Sequence, residues 1–176
     1  MKKFFMRFPS LWNCGIIRKK KGDFAMERLN VLHVARYVTE KCAPTTAMKL
    51  EKLVYYCQAW SLAWDDVPLF AENFEAWANG PVCPELFKKH QGLFEISPKF
   101  LESYSGYPFS NTQKETMDAV IKGYGDKEPH WLSENTHQET PWKNARKGVP
   151  IGERSHNIIS KESMQEFYSE LAEGWE

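Results

Sequence analysis

Residues 50–64 read Leu-Glu-Lys-Leu-Val-Tyr-Tyr-Cys-Gln-Ala-Trp-Ser-Leu-Ala-Trp, and their spacing decides the class of fold. Leu50, Leu53, Val54, Cys57, Trp60, Ser61 and Trp64 recur at steps of three and four, on one side of an α-helix. Tyr55, Tyr56 and Ala59 widen that side, so the helix is expected to be buried on more than one face. Thr45 or Thr46 can cap its start. It ends near Asp65-Asp66, and Pro68 forbids continuation.

Working outward, Val31, Val34, Ala35 and Val38 predict a preceding helix over about 29–40. After the long helix comes Phe74-Glu-Ala-Trp-Ala-Asn-Gly-Pro-Val-Cys-Pro-Glu-Leu86. Phe74, Ala76 and Ala78 alternate with Glu75 and Trp77, which suits a short strand. Asn79-Gly80-Pro81 is expected to turn the backbone, and Pro84 to start a short helix reaching about His90. Gly92, Pro98, Gly106 and Pro108 make 91–110 irregular, with short strand pairing around Leu93–Ile96 as one option. Ser110 and Gln113 have capping-box spacing for a helix striped by Met117, Val120, Ile121 and Tyr124 and ended by Gly123-Tyr124-Gly125. A further helix over about 128–137 carries Trp131, Leu132 and His137 and is closed by Pro141-Trp142. The last starts at Ser160 and buries Met164, Phe167, Tyr168 and Leu171. The expected fold is mainly α: a single compact helical domain of about five helices with a small β element, spanning 26–176.

A length of 176 residues suffices for one sizeable core, and 42% apolar with 14% aromatic residues is too much for a disordered chain. The formal charge is zero, but it is unevenly placed: residues 1–22 hold seven Lys or Arg and no acid, leaving 16 basic against 23 acidic residues beyond them, a net −7. So acidic a body is a poor general binder of nucleic acid, whose phosphates demand neutralisation. It suits a basic protein partner better. Residues 1–25 do not read as a signal peptide or a membrane span, because Arg7, Pro9, Ser10 and Asn13 break the apolar run. They read either as a basic surface-binding arm or as an extension ahead of a natural start at Met26, and the prompt helical pattern after Met26 favours the second. Cys14, Cys42, Cys57 and Cys83 include no CxxC pair; reduced, mostly buried thiols in a cytosol are expected.

His137 and Glu139 invite an acid–base or metal reading, but no HExxH or comparable cluster supplies further ligands, and no metal is expected. The plainer reading is that His137 caps the helix end while Glu139 hydrogen-bonds nearby backbone. Ser133 with His137 and Glu139 lacks any nucleophile elbow or oxyanion loop. Trp142 beside Pro141 reads as a core plug more readily than as a contact residue. Lys143, Arg146 and Lys147 read as a solvated basic face.

Taken in order, Lys49–Trp60, Pro68-Leu-Phe70, Phe74–Trp77, Asn79–Leu86, and Thr136-His137 with Glu139 and Pro141–Arg146 resemble the Panacea domain family of SocA-like antitoxins, also described as phage-associated GepA-type proteins. The resemblance covers roughly 28–175. It implies a cytoplasmic bacterial or prophage antitoxin, not an enzyme and without a cofactor, that neutralises a cognate toxin protein from the adjacent gene. A ClpXP-type protease is a second partner it implies, since one relative acts as an adaptor. On this reading Trp77, Asn79, Glu85, Thr136, His137, Glu139 and Trp142 are the candidate partner-binding residues, with Gly80, Pro81, Pro84 and Pro141 holding shape. The turn and the Thr136–Trp142 string are expected to lie close together. The rivals are a small His/Glu- or metal-dependent enzyme and a DNA-binding autoregulator.

Overall fold

The computed structural model describes residues 28–173; the expectations on residues 1–25 and Met26 lie outside them. The long helix is α2, Ala47–Asp65, with Thr46 as its N-cap accepting from the Lys49 N–H at 3.2 Å. Every residue from Leu50 to Leu62 is buried. It is enclosed by α1 (Val31–Cys42), α4 (Asn111–Tyr124), α5 (Pro129–Gln138) and α7 (Lys161–Glu173). A helix surrounded in this way loses its amphipathic stripe, because no side faces water.

Polar residues on α2 are buried too, and each reaches a later part of the chain. Gln58 Oε1 accepts from the Leu69 and Phe70 N–H groups at 2.9 and 3.3 Å, and its Nε2 donates to Phe70 O at 3.0 Å. Ser61 Oγ donates to Val67 O at 2.8 Å. Glu51 Oε2 accepts from Cys83 N–H at 2.9 Å, while Oε1 lies 2.7 Å from His90 Nε2. Lys52 Nζ donates to Pro81 O at 2.9 Å. Backbone groups left without partners in a core are costly, so α2 fixes the path of the 67–90 segment with its own side chains.

That segment forms β2 (Phe74–Trp77), β3 (Gly80–Val82) and the short α3 (Pro84–His90). The alternation holds: Phe74 and Ala76 are buried, Glu75 and Trp77 half-buried. Trp77 pairs with Gly80, so the hairpin loop is Ala78-Asn79, one residue earlier than the sequence suggests. Gly80 and Pro81 belong to the returning strand. Gly80 has φ +100 and lies over Lys52 and Thr136, where a Cβ would meet Lys52 Cε at 2.6 Å. β5 (Ile158–Ile159) pairs antiparallel with β2 and completes a sheet ordered β3-β2-β5. The pairing suspected around Leu93–Ile96 exists as β4 (Glu95–Ile96), antiparallel to β1 (Thr45–Thr46).

The mainly helical class with a small β element is as expected. Seven α-helices lie among the described residues: the five longer ones, the short α3 expected from Pro84, and α6 (Thr140–Ala145), which the sequence reading did not separate from the end of α5. Pro141 therefore does not simply close α5; it sits in the first turn of α6, where its missing N–H has no bond to lose. Ser110 and Gln113 form the expected capping box of α4. On α7, Met164 and Tyr168 are buried, and Phe167 and Leu171 only half-buried. No helix among the described residues is long and apolar enough to cross a membrane.

Candidate partner-binding site

The β2–β3 hairpin and the α5–α6 segment meet, as the sequence suggested they would. Ser133 Oγ donates to Asn79 O at 2.8 Å, fixing α5 against the hairpin loop. Trp142 Nε1 donates to Trp77 O at 3.0 Å. The Trp142 ring lies against His137, with centroids 4.2 Å apart and planes 30° apart. Arg146 completes the joint. Its guanidinium sits 5.2 Å from the Trp142 ring centroid and donates to Ala76 O at 2.9 Å, Pro150 O at 3.1 Å and Glu153 O at 2.9 Å.

Arg146 is therefore buried, not part of a solvated basic face. Three carbonyls from two separate segments replace its hydration, an arrangement the planar guanidinium fork suits and an ammonium does not. Lys143 and Lys147 remain exposed. His137, Trp142 and Arg146, with Ala78, Val149 and Ile151, line a cavity of about 270 Å³. His137 Nε2 is buried there without a hydrogen-bond partner among the described residues. Burial first, and then the Lys52 charge, hold the His137 pKa below its ordinary value, so the imidazole is neutral over this apolar wall.

The structure divides the other sequence candidates. Asn79 and Glu85 are exposed and Trp77 is half-buried. Glu85 opens α3 and does not line the cavity. Trp77 packs edge-on to Phe87 at 4.8 Å, and its Nε1 donates to Glu75 Oε2 at 2.7 Å. Thr136 and Glu139 are buried and offer a partner no surface. Thr136 Oγ1 donates to Ser133 O at 2.7 Å. Gly80, Pro81 and Pro141 are buried and Pro84 half-buried.

Glu139 corrects the expectation that it bonds nearby backbone. One oxygen accepts from Tyr56 OH and Asn135 Nδ2, both at 3.1 Å, and the other from Tyr168 OH at 2.8 Å. Burial pushes its pKa up to about 7, against the three hydrogen bonds that pull it down. Tyr56 in turn stacks on Tyr124 at 4.2 Å. Glu139 thus joins α2, α5 and α7 at a polar knot inside the aromatic core. Among the described residues no hydrogen bond joins its side chain to His137 or to Ser133, so the three form no relay. Among the described residues no group of three or more His, Cys, Asp or Glu side chains is placed to hold a metal.

Sequence reasoning missed Lys52, Arg146 and Ile151. The spacing of Trp142 and Arg146, four residues apart, was the available signal for their stacking. Ile151 is fully exposed beside the cavity, and nothing in its local sequence marks it.

A family model described as antitoxin SocA-like, Panacea domain, matches residues 50–143. No curated protein and no solved structure matches the chain.

Proposed function

The chain belongs to the SocA-like antitoxin family by its Panacea domain, and from that premise we propose that it binds and neutralises a toxin protein by direct contact. The toxin is the product of the adjacent gene, and the complex forms in the cytoplasm. The observation that carries this reading is the burial of the larger part of the motifs that match the family, with Asn79, Glu85 and Lys143 left exposed. Lys52, Tyr55, Tyr56, Gln58, Thr136 and Glu139 are all buried, where they join helices to one another and to the hairpin. A motif spent on the frame leaves the surface free to vary, as a scaffold that meets unrelated partners requires.

The surface supports the same reading. The cavity beside the hairpin offers Trp142, Val149 and Ile151 with the exposed Lys143 at its edge, an aromatic and aliphatic anchor site with a polar rim. The net −7 outside residues 1–22 favours encounter with a basic partner. No catalytic step is assigned: Glu139 is enclosed by tyrosines, and Ser133 is bonded to the hairpin. Delivery of the bound toxin to a ClpXP-type protease is a second stage that the same contact permits.

Co-expression tests the proposal. The adjacent gene should arrest growth alone and be tolerated beside this chain. An adjacent gene that is harmless alone, or equally toxic with the chain present, overturns it.

A further inference from the structure

The cavity beside the hairpin is charged as well as apolar. Arg146 and Lys143 line it, and no carboxylate does. A guanidinium keeps its charge at any ordinary pH and carries five N–H donors. Three of those of Arg146 are spent on the carbonyls of Ala76, Pro150 and Glu153. Its Nε N–H and one Nη1 N–H make no hydrogen bond among the described residues. His137 Nε2 is shielded from solvent, but Arg146 Nε is not. For a residue only 7% exposed, the opening through which solvent reaches it is the cavity that it lines.

No counter-ion neutralises these cations. Arg146 and Lys143 make no ion pair among the described residues, and Lys143 Nζ reaches only Gln138 Oε1, at 3.5 Å. Carbonyl dipoles offset part of the desolvation of a buried guanidinium but leave its net charge in place. The neighbouring imidazole feels that charge. After burial, Lys52 and then Arg146 are the charges that hold the His137 pKa down, against a smaller upward pull from Glu134. The apolar lining is fixed by the same guanidinium. It holds the chain beyond α6 through Pro150 O and Glu153 O, and the half-buried Val149 and fully exposed Ile151 of that stretch share the cavity with the Trp142 ring.

We infer that this cavity binds an aspartate or glutamate side chain of a protein partner, flanked on that partner by an aliphatic or aromatic residue. The carboxylate accepts from the free Arg146 N–H groups and from Lys143 Nζ, while the flanking residue packs on Val149, Ile151 and Trp142. A lysine or arginine in the same place would meet two uncompensated cations. Hydrogen bonds between a guanidinium and a carboxylate are about twice as strong as neutral ones. A wall already held by three hydrogen bonds has little order to gain on binding. The net −7 outside residues 1–22 steers a partner that is basic overall, whereas contact within a few ångströms is decided by local charge. The partner is thus a basic protein that presents an acid at this point of its surface. The inference deepens the toxin-binding reading, on which it rests for the source of the segment.

The test uses the purified full chain and a phage-displayed library of random twelve-residue peptides. Enriched peptides should share Asp or Glu beside an aliphatic or aromatic residue. Synthetic copies with that acid replaced by Asn or Gln should bind at least about tenfold more weakly. The original peptides should lose as much on Lys143→Glu. Ile151→Ala should weaken them through apolar contact alone, with the salt dependence of binding unchanged. Both positions are exposed, and unchanged melting temperatures establish that the variants fold. The inference is overturned if no peptide is enriched, if the enriched peptides lack an acid, or if the amide copies or Lys143→Glu bind equally well. It is also overturned if inorganic phosphate binds the chain as tightly as the peptides do. A second copy in the cavity, seen as a dimer that Lys143→Glu dissolves, overturns it too, as does peptide binding only after removal of residues 174–176. If acidic peptides select this cavity while co-expression shows no neutralisation, the antitoxin reading falls and the acid-binding site stands. If neutralisation is undiminished by Lys143→Glu, the antitoxin reading stands and this inference falls.

Discussion

Tyr168 on the last helix donates to Glu139 Oε2 at 2.8 Å, tying α7 to the junction between α5 and α6 deep in the core. The carboxylate it reaches has a pKa raised to about 7 by burial. Because the folded value lies above the unfolded one of 4.5, the native state holds the proton more tightly. The resulting stabilisation is complete below pH 4.5 and is lost as pH rises to about 7, by at most about 3 kcal/mol. His137 acts in the opposite sense: its lowered pKa costs stability as pH falls below 6.5, once the unfolded imidazole takes up its proton. Glu139→Gln isolates the carboxylate. In urea unfolding the parent should lose stability between pH 5 and 7, and this variant should not show that loss. An unchanged decline would assign it to another group.

Gly80→Ala should destabilise the fold by about 3 kcal/mol, the sum of a left-handed backbone cost and a core overpacking cost. Gly80 has φ +100, and an added Cβ would lie 2.6 Å from Lys52 Cε and 2.8 Å from Thr136 Oγ1. Gly92, also at positive φ, has open space around it. Gly92→Ala therefore carries the backbone cost alone. Equal losses in urea midpoints for the two variants would remove close packing under the hairpin from the account.

Gln58→Ala leaves the Leu69 N–H, the Phe70 N–H and the Phe70 carbonyl without their buried partner. At about 1–3 kcal/mol for each unpaired buried group, relaxation included, the loss should be at least about 2 kcal/mol. Amide hydrogen exchange locates it: protection at Leu69 and Phe70 should fall more than at Val82 on β3. Uniform loss across both segments would mean that Gln58 acts through α2 packing instead.

Much of the frame was legible, for a physical reason. Helix caps and apolar spacing are local, so Thr46, Ser110 with Gln113, and the stripe of α2 mark their elements from the sequence alone. Partners distant in the chain leave no such trace. Arg146 read as a solvent-facing charge because Lys143 and Lys147 flank it, while the carbonyls of Ala76, Pro150 and Glu153 that enclose it are set by the fold. Glu139 was expected on backbone because its three donors come from α2, α5 and α7. The hairpin loop was displaced by one residue, since strand pairing of Trp77 with Gly80 outranks the turn preference of Asn-Gly-Pro. At the candidate site, the nearness of the turn to Thr136–Trp142 was foreseen, whereas Ile151 and the burial of Thr136 were not.

The cysteines give a direct check on the core. Cys57 and Cys83 are buried free thiols, and burial raises the pKa of both, as it does that of the half-buried Cys42. Thiolate is the reactive form, so an aromatic disulfide reagent should label Cys57 and Cys83 only at the rate of unfolding, with Cys42 reacting first of the three. Rapid labelling of Cys83 in the native protein would contradict the Glu51-anchored path of the chain around it.

Mixing purified chain with purified product of the adjacent gene tests the central claim most directly. The account predicts that the two co-elute in size-exclusion chromatography as one complex, and that the toxin's activity in vitro falls in proportion to the chain added. An Ile151→Arg variant, which replaces an exposed apolar residue beside the hairpin cavity with a charge that repels a basic partner, should need at least about tenfold more protein for the same effect. Toxin activity unaffected by excess chain, with both proteins eluting separately, would contradict it.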